Sequence, residues 1–177
     1  MPEHGDKVLK FPYRGAPQTI EVMRHSALTS QGSMIVRQLA ESICQGIDSK
    51  DYASEYLAIY YYVLQRCRYM RDPRTVELVR APYVIAQQLL DGQRPCLDCD
   101  DMAALIAALC LAIGGQVELV TVAFKRMHFN GQQQYSHVYC RALDPRTRLW
   151  ITLDPVAAEK TNEMIGRIVA MKTWTIA

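Results

Sequence analysis

The sequence has no apolar run long enough to cross a membrane and no strong excess of one charge. Its longest unbroken apolar stretch is the twelve residues from Met102 to Ile113, whereas a membrane-spanning helix needs about 18 or more. The formal net charge is only +2 over 177 residues. We therefore predict that neither a membrane nor a nucleic acid is a partner.

A local excess of arginine does not change this interpretation. Basic residues cluster at Arg66, Arg68, Arg71, Arg74 and Arg80. A solvated helix face followed by a loop explains such a cluster more simply than a nucleic-acid surface does.

We also expect no secretory leader, because residues 1–18 are polar and contain no apolar segment. We therefore expect a cytoplasmic protein whose cysteines are reduced and form no disulfide framework. Four of the six cysteines lie in apolar periodic segments, where a free thiol acts as a small hydrophobic group. These four are Cys44, Cys67, Cys110 and Cys140.

The chain lacks a second pair of metal ligands to complement Cys96 and Cys99. A structural zinc site takes four ligands, and His128 and His137 fall on different predicted elements. A redox Cys-x-x-Cys motif would need a βαβ context that is absent. We predict no metal and no cofactor, and we interpret Cys96 as a packed residue or as a thiol that could cap Cys99 on oxidation.

The periodicity predicts helices first and strands afterwards. Residues 1–18 are expected to form a loose arm, and residues 19–177 a single domain. The order indicates an α+β fold in which N-terminal helices and a central buried helix pack on an antiparallel sheet. Helices are predicted near 20–31, 33–46, 51–70, 82–90 and 99–113, and strands near 117–124, 135–142, 149–153 and 168–175.

The start of the buried helix carries the first candidate for catalysis. Asp98 is a suitable N-cap, which places Cys99 in the first turn. There the helix dipole favours a thiolate by ~0.3–1 kcal/mol, but Asp98, Asp100 and Asp101 oppose it. A reactive Cys99 therefore needs a basic partner, for which a histidine is the usual choice.

His137 is the histidine that the strand pattern singles out. It alternates with Tyr139 and Arg141 on one strand face. A turn at Asp144-Pro-Arg-Thr147 would pair Asp144 with Thr147 and hence His137 with Asp154, although a one-residue bulge would separate them. We predict Cys99 as nucleophile, His137 as general base and Asp154 as the orienting carboxylate, with the backbone N–H of Cys99 as an oxyanion donor.

Three motifs in this order resemble the transglutaminase-like superfamily of cysteine enzymes, in particular its compact bacterial or phage-borne members. They read Cys99-Asp-Asp-Met-Ala103, Ser136-His-Val-Tyr139 and Trp150-Ile-Thr-Leu-Asp-Pro155. The resemblance implies a papain-like core, a thioester mechanism without a cofactor, and a protein or peptide substrate. Two departures are Met102, where an aromatic residue is common, and the lack of an evident second oxyanion donor, for which Gln93 is the nearest candidate.

Hydrolysis and transamidation both fit this resemblance. The rival prediction is a catalytically inactive scaffold, or an assembly or binding module. A phage-borne member could serve in particle morphogenesis and be associated with the virion.

Overall fold

The structure is a computed structural model that describes residues 8–12, 16–71, 76–129, 131–156 and 167–176. Its helices are α1 (Ala16–Gln31), α2 (Met34–Cys44), α3 (Tyr52–Arg66), α4 (Pro82–Leu90) and α5 (Cys99–Ala112). Its strands are β1 (Val8–Pro12), β2 (Arg68–Tyr69), β3 (Val76–Arg80), β4 (Cys96–Leu97), β5 (Gln116–Ala123), β6 (His128–Phe129), β7 (Gln132–Gln133), β8 (His137–Asp144), β9 (Leu149–Leu153) and β10 (Ala170–Thr175).

Helix α5 is the centre of the hydrophobic core, as predicted. Its residues from Asp100 to Leu111 are all buried, and side chains such as Leu105 and Leu109 have no exposed surface. The helix is apolar on every face because other elements surround it. The first four helices and the main sheet all pack against it.

The main sheet has four antiparallel strands in the order β10-β5-β8-β9. Along β8 the buried residues Val138, Cys140 and Ala142 alternate with His137 and Tyr139 on the opposite face. The class is therefore α+β, with helices first and an antiparallel sheet after them, and this prediction is confirmed. In the ranges that the structure describes, no helix is both long and apolar enough to span a bilayer.

The predicted register of the β8–β9 hairpin is wrong by two residues. Cys140 pairs with Leu153 and Asp144 pairs with Leu149, so the ladder ends before Asp154. The cause is a four-residue loop that is closed by the N–H of Arg148 donating to the carbonyl of Asp144 at 2.8 Å, with Arg148 at a φ of 61°. A shift of two leaves every side chain on its predicted face.

The third helix is shorter than predicted, because the chain after Arg66 enters a strand. Strand β2 pairs in parallel with β4, with Tyr69 opposite Leu97. The N–H of Arg68 donates to the carbonyl of Pro95, and the N–H of Met70 to that of Leu97. These long-range bonds replace the helical bonds that the local pattern favours.

The loose arm predicted for residues 1–18 is wrong for its middle part. Val8–Pro12 form β1, which pairs antiparallel with β3, and α1 begins at Ala16. Strand β3 supplies backbone partners that the local composition does not reveal. The predicted helix break at Asp72-Pro73-Arg74 and much of the segment after Val156 lie outside the described residues, whereas the predicted C-terminal strand is present as β10.

Candidate active site

The N-terminus of α5 is capped by Asp98, as its sequence predicts. One oxygen of the Asp98 carboxylate accepts the N–H groups of Asp100 at 3.1 Å and of Asp101 at 3.0 Å. Cys99 is the first residue of the helix and is partly exposed. The cap therefore fixes the backbone of Cys99 at the N-terminus of the buried helix.

Asp101 connects this helix start to β3. Its side chain is buried, one oxygen accepts the N–H of Arg80 at 2.8 Å, and the other lies 3.4 Å from Arg80 Nε. A buried carboxylate is costly unless it is paired. The Arg80 guanidinium offsets that cost, so we interpret Asp101 as a structural group rather than a catalytic one.

The surroundings of the Cys99 thiol favour its neutral form. Burial raises its pKa well above the ordinary value, and the charges of Asp100 and Asp98 raise it further, whereas a hydrogen bond from the N–H of Val138 acts in the opposite sense. The thiol donates to Asp100 Oδ1 at 3.4 Å. Because the helix dipole does not overcome these effects, Cys99 needs a base before it can attack.

His137 and Asp154 form a buried pair at the start of β8, the strand that packs on α5. His137 Nε2 lies 2.8 Å from Asp154 Oδ2, and both residues are less than one tenth exposed. An ionised carboxylate can only accept, so Nε2 carries the proton in this pair and Nδ1 is the ring nitrogen able to act as a base. Helix α5, which begins at Cys99, packs against β8, which begins at His137.

Asp154 is held by contacts that do not depend on the hairpin ladder. Its Oδ1 accepts the N–H of Val156 at 3.1 Å, and the phenol of Tyr60 donates to its backbone carbonyl at 3.4 Å. Although the paired strands end at Leu153, the turn after β9 directs the carboxylate toward the first residue of β8. His137 and Asp154 therefore meet as predicted, but through this turn rather than as directly opposed residues.

The comparisons with known proteins agree with this architecture. The sequence profile described as the transglutaminase-like superfamily matches residues 37–155, a span that includes Cys99, His137 and Asp154. The chain belongs to the transglutaminase-like superfamily. No curated protein sequence matches it.

Two solved structures share the fold of this transglutaminase-like chain. One is a proposed cysteine protease from Cytophaga hutchinsonii, with a TM-score of 0.50 and 20% identity, covering 92% of this chain and 45% of that protein. The other is a proposed protease from Parabacteroides distasonis, with a TM-score of 0.57 and 13% identity, covering 93% of this chain and 30% of that protein. The papain-like α+β fold predicted from the motifs is thus confirmed, in a chain that spans less than half of either neighbour.

Aromatic rings around the imidazole were not predicted from the transglutaminase-like motifs. The ring of Phe124 stacks near His137 at 6.4 Å, and that of Tyr139 lies at 6.2 Å. Tyr139 belonged to the motif, but only as an aromatic of unspecified role. Phe124 directly follows β5 and Tyr60 lies in α3, so no local signal in the sequence connects them with His137 or Asp154.

The remaining predicted groups of the transglutaminase-like site lie around α5 and β4. Gln93 is exposed after α4, and its N–H donates to the carbonyl of Gln88 at 2.9 Å; its role as an oxyanion donor stays a prediction. Cys96 lies in β4, half-buried and unoxidised, opposite Arg68. Within the described ranges, three or more metal-ligating side chains nowhere converge.

Proposed function

We propose that the protein is a thiol-dependent acyl-transfer enzyme that acts on peptide or amide bonds through a thioester. The observation that supports this most directly is the 2.8 Å bond between His137 Nε2 and Asp154 Oδ2, at the start of the strand that packs against the helix carrying Cys99. A nucleophile, a base and an orienting group within reach of one another form the unit that covalent acyl transfer requires, and we propose Cys99, His137 and Asp154 for these roles.

In the proposed reaction, His137 Nδ1 takes the proton of Cys99 while the sulfur attacks the substrate carbonyl carbon. The carbon–nitrogen bond then breaks, and the amine leaves with the proton that His137 returns. Water or an amine attacks the resulting thioester, which gives hydrolysis or transamidation. The N–H of Cys99 at the helix start, with Gln93 as a candidate second donor, would stabilise the oxyanion.

Asp154 has a positioning role in this proposal. Its carboxylate holds the imidazole in the tautomer that leaves Nδ1 free of a proton, and it stabilises the imidazolium that forms in the first step. A neutral resting thiol is compatible with this mechanism, because His137 removes the proton during attack rather than before it.

The test is alkylation with iodoacetamide over a pH series, with the labelled cysteines identified by peptide mapping. We expect Cys99 to react faster than Cys96 at neutral pH, although both thiols are partly exposed. His137→Ala should remove this advantage and leave a reaction that rises only at alkaline pH. Slow, equal labelling of both cysteines in the unaltered protein would refute the proposal.

A non-catalytic scaffold is the second candidate, and one observation favours it. The Cys99 thiol bonds to Asp100, and burial together with two aspartates raises its pKa. If His137 does not act as a base for Cys99, the thiol stays neutral and the chain has no nucleophile. The fold would then serve as an assembly or binding module, of which a phage particle component is one example. Labelling of Cys99 that does not depend on His137 would support this second candidate.

A further inference from the structure

A tyrosine in β2 and an arginine that follows this strand lie near the segment that leads into the candidate nucleophile. Tyr69 of β2 pairs with Leu97, which is two residues before Cys99. Arg71 lies two residues after Tyr69, beyond the end of β2, and the two side chains meet. Arg71 Nε donates to the Tyr69 phenol at 3.4 Å, and both side chains are exposed.

Electrostatic interactions connect these two side chains with the thiol. Burial raises the pKa of the Tyr69 phenol, the hydrogen bond from Arg71 lowers it, and the charge of a Cys99 thiolate raises it. The bond to Tyr69 and the charge of Cys99 both raise the pKa of Arg71. These interactions agree with the strand pairing, which puts Tyr69 opposite Leu97, two residues before Cys99.

Further exposed arginines lie near β2. Arg66 is at the end of α3, Arg68 is in β2, and Arg94 precedes β4. Arg94 donates to the carbonyl of Gln65 at 3.0 Å, and Arg66 lies 5.8 Å from the centre of the Tyr62 ring. By contrast, the acidic residues at the helix start are buried. Exposed arginines of this kind attract anions to the protein surface near Cys99.

We propose that Tyr69 and Arg71 form a subsite for a substrate carboxylate, so that the enzyme acts preferentially on acidic peptides. The inference rests on the proposed function, because it assumes that acyl groups reach Cys99. A guanidinium presents two parallel N–H donors to a carboxylate, and the phenol adds an O–H donor beside them. The hydrogen bond between Arg71 and Tyr69 preorganises these donors before a substrate arrives.

Two alkylating reagents of nearly equal size test this subsite directly. Iodoacetate carries a carboxylate and iodoacetamide does not, so the ratio of their rates at Cys99, divided by the same ratio for glutathione, measures recognition of the carboxylate. Arg71→Gln should lower this ratio about two- to fivefold at low ionic strength, as expected for an exposed charge pair. About 1 M salt should remove the difference, because it shortens the screening length to roughly 3 Å.

Matched variants separate the subsite from general charge. Arg146→Gln removes an equally exposed arginine from the β8–β9 loop and should leave the ratio unchanged. Tyr69→Phe keeps the ring and loses the donor, and should lower the ratio by less than Arg71→Gln does. A ratio that is the same in Arg71→Gln as in the unaltered protein, with rapid iodoacetamide labelling retained, would overturn the subsite and leave the proposed function intact.

Capped peptides extend the test to the substrate class. A peptide with blocked ends that contains glutamate should protect Cys99 from iodoacetamide better than its glutamine counterpart, and Arg71→Gln should abolish the difference. Protection that instead requires a free peptide C-terminus would assign the same subsite to a terminal carboxylate. Equal protection by the glutamate peptide, the glutamine peptide and a peptide with a free C-terminus would refute carboxylate recognition. If neither reagent labels Cys99 of the unaltered protein selectively, the proposed function and the subsite are refuted together.

Discussion

Among the individual residues, Cys99 shows why a position at a helix N-terminus is not enough to make a thiol reactive. The helix start favours a thiolate by ~0.3–1 kcal/mol, but burial and two neighbouring aspartates raise the pKa of the thiol well above its ordinary value. Since the opposing effects win, a reactive Cys99 would need a neighbouring base. In the proposed mechanism His137, oriented by Asp154, is that base.

Asp154→Asn tests whether that orientation matters. The substitution keeps the shape of the side chain and an oxygen able to accept the N–H of Val156, but it removes the charge that stabilises an imidazolium. We expect the rate of Cys99 alkylation at neutral pH to fall by about tenfold or more, which corresponds to ~1.4 kcal/mol in the barrier. Circular dichroism and thermal unfolding should show that the fold is retained.

The matched control for this variant is Asp91→Asn. Asp91 is an exposed carboxylate that accepts from Gln87 at 2.9 Å at the end of α4, so its removal changes the net charge equally without contact with His137. Its alkylation rate should equal that of the unaltered protein. An unchanged rate in Asp154→Asn, or an equal loss in Asp91→Asn, would contradict the orienting role.

Some of these residues could be predicted because their signals are local. The cap by Asp98 and the place of Cys99 at the helix start follow from adjacent residues. The approach of Tyr60 and Phe124 could not be predicted, since each lies in another part of the chain and is brought to Asp154 or His137 only by tertiary packing. The catalytic roles of Cys99, His137 and Asp154 stay predictions until they are measured.

Among the structural elements, the β8–β9 hairpin shows that a prediction with the wrong strand register can still assign each side chain to the correct face of the sheet. The sequence Asp144-Pro145 marks a turn, and the Asp144 carboxylate accepts the N–H of Arg146 at 2.9 Å and the hydroxyl of Thr147 at 2.7 Å. The length of the loop depends instead on Arg148, which adopts the left-handed conformation. Arginine carries no sequence signal for that conformation, so the two-residue shift could not be predicted.

The junction between α5 and β5 has a glycine that packing requires. A Cβ on Gly115 would lie 2.7 Å from the carbonyl oxygen of Cys110 and 2.9 Å from the phenol oxygen of Tyr56. The carbonyl belongs to the central helix and cannot move freely. We expect Gly115→Ala to lower the free energy of unfolding by about 1–3 kcal/mol, as overpacking does, when measured by urea denaturation.

Gly32→Ala is the control for this substitution. Gly32 lies between α1 and α2, and a Cβ there would have no neighbour within 4 Å. Its replacement should be neutral or stabilise the protein by up to about 1 kcal/mol, because alanine restricts the unfolded chain. Equal effects of the two substitutions would refute the close approach at Gly115.

For the whole molecule, the order of helices and strands was predictable because hydrophobic periodicity is a local property. The parallel pairing of β2 with β4 was not, because it joins Tyr69 to Leu97 across α4. The same holds for β1 with β3. The pairing of β2 with β4 brings Arg68 and Tyr69 close to the segment that leads into Cys99. The surroundings of the candidate site therefore depend on long-range contacts, whereas its own residues could be predicted from local sequence patterns.

The buried cysteines make the stability of the whole fold sensitive to alkaline pH. Burial raises the pKa of Cys67 to about 12 and raises those of Cys110 and Cys140 as well, whereas thiols in an unfolded chain titrate near ~8.5. The unfolded state therefore loses protons that the folded state keeps. The stabilisation is complete below about pH 8.5 and declines as the pH rises toward the folded pKa values, by ~1.4 kcal/mol per pH unit for each thiol.

Urea unfolding under reducing conditions, at about pH 7.5 and about pH 10, measures this decline. The variant Cys140→Ala should be less stable at the lower pH, because it leaves a small cavity in the core. Its free energy of unfolding should nevertheless fall less steeply with pH, by ~1.4 kcal/mol per unit, because one buried thiol no longer contributes. If Cys140→Ala and the unaltered protein lose stability at the same rate between these pH values, Cys140 does not resist ionisation in the folded state, and the core around α5 is more open to water than its complete burial implies.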